Sequence, residues 1–189
     1  MIGGRARSIV LEVPASGTRP TSDRVRESLF GALESADAVR SARVLDLYAG
    51  SGALGLEAVS RGAESADLVE RSPRASSIAR RNAAKVIKAM REDVPVRVHA
   101  SSVLSFLRST AQAFDLVLLD PPYDVGEPEL AEVLEALVPA LSESAVVVVE
   151  RASRSAEPTW PAGLGPSRSK RYGDTTMWWA QPAAESQSR

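Results

Sequence analysis

The sequence predicts an α/β fold: a doubly wound, mostly parallel sheet with helices on both faces. Three observations carry that expectation. Five short apolar runs rich in Val and Leu recur along the chain, each of strand rather than helix length. Stretches with apolar residues at helical spacing separate these runs. Strands that alternate with helices close into a parallel sheet covered on two sides.

The elements follow in order. Residues 7–13 read as a strand, half of a small amino-terminal β-hairpin, and residues 15–22, ASGTRPTS, as a loop. Residues 23–34 read as an amphipathic helix, because Val25, Leu29 and Leu33 fall at i, i+4 and i+8. Strands are expected at 44–47, 66–69, 96–99, 114–119 and 145–149, with helices at 54–61, 73–90, 103–110 and 129–141. The helix at 73 has Ser72 as its cap and a proline at its first position. After Glu150 the chain turns rich in Pro, Gly and Ser, then resumes with SRSKRYG and TTMWWA around Gly173-Asp174. Those two stretches read as an antiparallel hairpin at the sheet edge, which brings the sheet to seven strands. Residues 183–189 are small and polar and read as a loose tail.

The densest signal is Asp120-Pro121-Pro122-Tyr123, which ends the run FDLVLLD. It places a carboxylate at the carboxyl end of a strand, where open α/β sheets bind ligands, on a backbone stiffened by two prolines. An acceptor beside a flat ring suits an exocyclic amine on a planar base. The carboxylate and a proline carbonyl take the amine hydrogens while the ring stacks on the base. Alternatively the prolines merely end a strand and Tyr123 packs beneath it. Upstream, RVLDLYAGSGALGLEA runs from a strand through a glycine turn into a helix, and Gly50, Gly52 and Gly55 match G-x-G-x-x-G. Glu70 lies 70 − 50 = 20 residues after Gly50, the position of an acid that grips a ribose diol. Asp46 sits four residues before Gly50, where a pyrophosphate would meet an extra negative charge. S-adenosylmethionine has no phosphate and carries an ammonium and a sulfonium, so the acidity favours it over NAD. Asp46 also suits a cap on its own loop.

Together the glycine motif and DPPY resemble the Rossmann-like amino-methyltransferases, which modify exocyclic amines of nucleobases. The stretches RPTSDRVRESLF and KRYGDTTMWW resemble more narrowly the bacterial methyltransferases that place one methyl on a guanine N2 amine in 16S ribosomal RNA. The likeness runs from Gly3 to Trp179. It implies cofactor contacts at Asp46, Gly50, Ser51, Gly52 and Glu70, flanked by Tyr48, Ala49, Arg71, Ser101 and Ser102. Asp120, Pro121, Pro122 and Tyr123 would hold the guanine. Where the family pattern carries an Asp before the fourth helix and an Asn after Leu29-Phe30, this chain has Ser102 and Gly31. The chain is expected to divide into an amino-terminal RNA-contacting extension at 1–35, an S-adenosylmethionine-binding domain at 36–181, and a flexible tail at 182–189. The expected partner is ribosomal RNA or the assembling small subunit, bound by a monomer without a metal. A DNA amino-methyltransferase acting on adenine N6 or cytosine N4 is the nearest alternative; no separate target-recognition domain is visible for one. From other classes stand an NAD-dependent oxidoreductase and a non-catalytic RNA-binding protein.

Composition narrows the chemistry. A chain of 189 residues suits one domain with a full core. Cysteine is absent, which removes disulfides, thiolate metal sites and the cysteine addition that methylation of a pyrimidine carbon normally needs. No apolar run approaches ~18 residues, and the first residues lack the apolar stretch of a secretory signal, so a cytoplasmic protein is expected. The net charge is −1, but it is unevenly spread. From Ser109 to Glu150 nine acids stand without a Lys or Arg, and from Arg71 to Arg91 seven bases stand without an acid. Arg74, Arg81, Lys85 and Lys88 recur at helical spacing and suit either a solvated face or RNA. Arg5, Arg7, Arg19, Arg24 and Arg26 sit among Thr, Pro and Gly and are expected to contact phosphates. His99, the only histidine, reads as a core or edge residue of its strand. Trp178 and Trp179 should face opposite sides of theirs. Trp160 suits either stacking on a base or packing in a lid.

Overall fold

The computed structural model describes residues 1–13 and 23–183. The helix α1 (Asp23–Ser35) precedes an alternating series. It runs β1 (Arg43–Leu47), α2 (Ala53–Ser60), β2 (Ser65–Val69), α3 (Pro73–Met90), β3 (Val96–His99), α4 (Val103–Ser109), β4 (Phe114–Leu119) and α5 (Glu127–Leu137). A 3-10 turn at Val138–Ala140 leads into β5 (Leu141–Ala152), and β6 (Leu164–Tyr172) with β7 (Thr175–Pro182) closes the series. The seven strands form one sheet in the order β3-β2-β1-β4-β5-β7-β6. The first five are parallel, and β7 pairs antiparallel with both β5 and β6. No helix among the described residues is long and apolar enough to cross a membrane.

The strands read as continuous apolar runs because both of their faces are covered. Along β4, Leu116 and Leu118 pack under α1, α2 and α3, while Val117 and Leu119 face α4 and α5. The same alternation splits the tryptophans: Trp179 is buried on the first face and Trp178 packs against the second. Ser72 caps α3 by accepting the Ala75 N–H at 3.3 Å, as its position before Pro73 suggested. The turn between β6 and β7 is Gly173-Asp174, with φ +58° at the glycine.

Strand order reverses between β1 and β4, which lie side by side while their neighbours run to opposite edges. A crevice opens at the carboxyl ends of strands at such a switch point. Here it gathers Asp46 and Tyr48, at the end of β1, with Asp120, at the end of β4.

The amino terminus departs from expectation. Residues 7–13 join no sheet among the described residues, so the small hairpin is not formed by them. Their backbone groups find helix side chains instead of a neighbouring strand. The Asn82 side chain accepts the Glu12 N–H and donates to the Glu12 carbonyl, both at 2.9 Å, and Lys85 Nζ donates to the Val10 carbonyl at 2.7 Å. Before that, Ile2 and Gly3 donate to the Glu57 carboxylate, and Ala6 donates to Ser60 Oγ. The segment therefore climbs from the far end of α2 along α3 and brings Val13 to the cleft. The expected loop at 15–22 lies outside the described residues, as do residues 184–189 of the tail.

Candidate active site

A cleft of about 820 Å³ opens over the carboxyl ends of β1, β2, β4 and β5. Its first wall is the loop from Tyr48 to Gly52. The backbone takes left-handed values at Tyr48 (φ +64°), Gly50 (+55°) and Gly52 (+80°), which turns the chain sharply from β1 into α2. The two glycines serve different ends. A Cβ on Gly50, a residue of the cleft lining, would meet nothing within 4 Å, so backbone there is open to a ligand. A Cβ on Gly52 would lie 2.9 Å from Leu68, so that glycine lets loop and sheet approach each other.

Two acids brace this wall. Glu70 Oε2 accepts the Gly50 N–H at 3.0 Å and Oε1 accepts the Ser72 N–H at 2.7 Å. Each oxygen retains acceptor capacity for a diol. Asp46 is buried and its Oδ2 accepts the Gly55 N–H at 2.8 Å, so it does cap its own loop. Burial pushes its carboxyl up to about 7, opposed by the Gly55 N–H and helped by the Glu70 charge. The expected full negative charge is therefore shared with a neutral form near neutrality, and Asp46 acts as an acceptor as much as an anion. Ser102 caps α4, accepting the Ser105 N–H at 3.2 Å, and it too lines the cleft. Asp46, Tyr48, Ala49, Gly50, Ser51, Glu70, Arg71 and Ser102 all line the cleft, whereas Gly52 and Ser101 do not.

The second wall is the loop after β4. Asp120, Pro121, Pro122 and Tyr123 line the same cleft as the glycine loop. The Pro122 carbonyl accepts the Val125 N–H at 3.0 Å, which folds the loop back toward α5. Tyr123 is 77% exposed, so it does not pack beneath the loop and its ring is accessible for stacking. Arg151, near the end of β5, supports the loop from behind: Nη1 donates to the Val125 carbonyl and Nη2 pairs with Glu127 at 2.6 Å. Arg71 reaches across the mouth to Asp124 at 4.0 Å. Burial, with the Glu129 charge behind it, raises the Tyr48 hydroxyl to about 12, so that group stays a neutral donor.

The amino-terminal arginines do not form one surface. Arg24 is exposed but Arg26 is 9% exposed and lines the cleft, since residues two apart on a helix point in different directions. Arg5 and Arg7 lie by the far end of α2, away from the cleft, and Arg5 pairs with Glu92. Arg19 lies outside the described residues. On α3, Arg81 pairs with Glu12 and Lys85 holds Val10, so these two bases fasten the amino-terminal segment, while Arg74 lines the cleft. His99 takes its place on the edge strand and pairs with buried Asp67 at 2.6 Å. Trp160 donates to Glu157 at 2.9 Å and packs against the core. Glu129, Glu150, Arg151 and Arg154 also line the cleft and were not expected there. One signal for two of them was available: the charged pair Glu150-Arg151 closes the apolar run of β5 at the same end as DPPY.

A family model described as Conserved hypothetical protein 95 matches residues 1–181. Ribosomal RNA small subunit methyltransferase D of Escherichia coli (strain K12) is 38% identical over 191 residues, covering 100% of this chain and 92% of that protein. The same-named protein of Haemophilus influenzae is 35% identical over 138 residues, 72% of this chain and 69% of that one. Among solved structures, Escherichia coli yhhF, provisionally assigned as a methyltransferase, superposes with a TM-score of 0.81 at 35% identity, covering 97% of each chain. A hypothetical protein from a Thermus species gives 0.75 at 31% identity, covering 94% of this chain and 95% of that one.

Proposed function

The chain belongs to the conserved hypothetical protein 95 family, and from that membership and the cleft we propose that it methylates the N2 amine of a guanine in 16S ribosomal RNA. It is a Rossmann-like methyltransferase of ribosomal RNA, the activity carried by the name of its 38% identical Escherichia coli relative. Its cofactor is S-adenosylmethionine. The observation that carries the finer reading is the DPPY loop. It sets an acceptor carboxylate and an exposed aromatic ring on the wall opposite the glycine loop of one cleft.

The residues fit the cofactor. Open backbone at Gly50, acceptors at Glu70 and Asp46 and the Ser102 hydroxyl suit a ribose diol, an ammonium and an adenine amine. The bound cofactor supplies an electrophilic methyl on a good leaving group. The chain's part is to aim the nucleophile. A guanine N2 lone pair is delocalised into the ring, and acceptance of its hydrogens by Asp120 and the Pro121 carbonyl turns that lone pair toward the methyl carbon. Asp120 takes the proton that the nitrogen sheds as the new N–C bond forms. Tyr123 holds the base plane, and positioning supplies most of the acceleration. The base must leave its stack to reach the cleft. Arg24 and the exposed bases at the rim meet phosphates, and Arg5 and Arg7 meet only RNA that continues past the cleft to the other end of α2. Residues 1–35 act as the RNA-contacting extension of a monomeric, metal-independent cytoplasmic enzyme.

The test is to supply labelled methyl donor with naked 16S RNA, assembled small subunits or DNA, and to identify the labelled nucleoside. N2-methylguanine in RNA is the expected product. N6-methyladenine or N4-methylcytosine in DNA would overturn the substrate reading and leave the fold intact.

A further inference from the structure

Five arginines line the cleft among the described residues, and they divide by what already holds them. Arg71, Arg74 and Arg154 are exposed at the rim. Arg151 is sequestered, with an Nε that has no partner among the described residues, but it commits both terminal nitrogens to the loop behind DPPY. Arg26 is held more lightly. It is 9% exposed, its Nη2 pairs with Asp23 at 2.5 Å, and its buried Nε has no hydrogen-bond partner among the described residues. The Asp23 side chain is itself 83% exposed, so that ion pair lies toward solvent and leaves the buried side of the guanidinium short of an acceptor. A buried N–H without a partner carries its whole desolvation penalty until something supplies one.

We propose that Arg26 is the residue that reads the O6/N7 edge of the target guanine. The inference rests on the guanine-N2 reading above and extends it to specificity. Asp120 and Glu150, both lining the cleft from the ends of β4 and β5, are acceptors, matched to the N2 and N1 hydrogens of guanine. The Hoogsteen side of that base offers only acceptors, O6 and N7, and a guanidinium presents the two parallel donors that fit them. A phosphate is met better at the rim, where three exposed arginines stand in water. The buried arginine suits a neutral base that arrives without a hydration shell of its own.

The experiment uses the guanine located by nucleoside mapping. The 16S RNA is rebuilt by ligation with 7-deazaguanine at that position, which keeps the N2 amine, the N1 hydrogen and O6 but lacks the N7 acceptor. Single-turnover methyl transfer is measured for the native chain, Arg26→Gln and Arg26→Lys, with S-adenosylmethionine affinity and thermal midpoint as controls for folding. The native chain should transfer about tenfold more slowly to 7-deazaguanine than to guanine. Arg26→Gln should lose at least as much on guanine RNA and then discriminate little between the two bases. Arg26→Lys keeps the charge without the planar fork and should also lose most of the preference, which keeps the test decisive if the neutral variant folds poorly. Equal discrimination in native and variant proteins would overturn the proposal. So would an Arg26→Lys variant with native rates, the behaviour of a phosphate contact. Failure of the parent reading is visible beforehand, as the absence of N2-methylguanine.

Discussion

The two walls of the cleft are built on different terms. On the glycine-loop side, acceptors are tied to the protein's own backbone: Glu70 holds Gly50 and Ser72, Asp46 holds Gly55, and Asn82 donates to the Ser51 carbonyl at 2.9 Å. On the DPPY side the backbone is stiff but Tyr123 stands 77% exposed, and at the same cleft Arg26, on α1, keeps a buried Nε short of a partner among the described residues. The first wall is finished before any ligand arrives. The second is a frame that a nucleotide completes. Preorganisation belongs where a small, constant ligand binds, and open groups belong where a macromolecule must deliver one base into place.

The contrast orders the effects of substitution. In the proposed mechanism Asp120→Ala removes the acceptor that orients the amine and leaves Glu70 and Asp46 on the glycine-loop side in place. Single-turnover transfer should fall by roughly a hundredfold or more, with little change in S-adenosylmethionine affinity. Glu70→Ala strikes the finished wall, where it removes the brace on Gly50 and, with it, the proposed acceptor for the ribose diol. Calorimetry should show affinity for the cofactor weaker by about 1.5–3 kcal/mol, and unaltered binding would remove Glu70 from that role. Tyr123→Ala should cost about 1–3 kcal/mol in RNA or transition-state binding through lost stacking, and its exposure means that the thermal midpoint should not move. A drop in that midpoint would show that the ring packs after all.

The Asp46 carboxyl sharpens the comparison through pH. Its pKa in the folded chain is about 7 against an ordinary 3.8, so the folded state binds the proton more tightly. Stability from this group is fully present below about pH 4 and is lost as pH rises through about 7. Asp46→Asn, which keeps an acceptor for Gly55, should remove that slope. Thermal midpoints of the two proteins from about pH 4 to about pH 8 should therefore diverge, with the native chain losing ground as pH rises. Parallel curves would mean that Asp46 is not a buried, protonatable brace. The smallest effect belongs to exposed Arg24: Arg24→Ala should weaken RNA binding a few-fold and flatten its dependence on log salt by up to about one unit.

What was legible in the sequence follows the same division. The strands and the glycine turn rest on local pattern, and β3 and β4 fall on the expected residues. The position of DPPY across from the glycine loop follows from parallel order, because every parallel strand presents its carboxyl end on one side. The amino terminus resisted for a physical reason. Its Ser-Ile-Val-Leu-Glu-Val stretch has strand composition, but its backbone partners are Asn82 and Lys85, far along the chain on α3. The burial of Arg26 was equally hidden, because charge and loop-like neighbours suggested a surface while helix phase turned the residue inward. Glu57 and Asp67, buried acids that brace the amino terminus and the β3 edge, left no mark in composition.

The most direct test of a finished donor wall beside an unfinished target wall is calorimetry of the protein alone with S-adenosylmethionine, NAD as the control, and no RNA present. The free protein should bind S-adenosylmethionine one-to-one and NAD not at all, and Asp120→Ala should bind the methyl donor as the native chain does. Binding of S-adenosylmethionine that emerges only after RNA is added, or its loss in Asp120→Ala, would contradict a donor wall built in advance of its ligands.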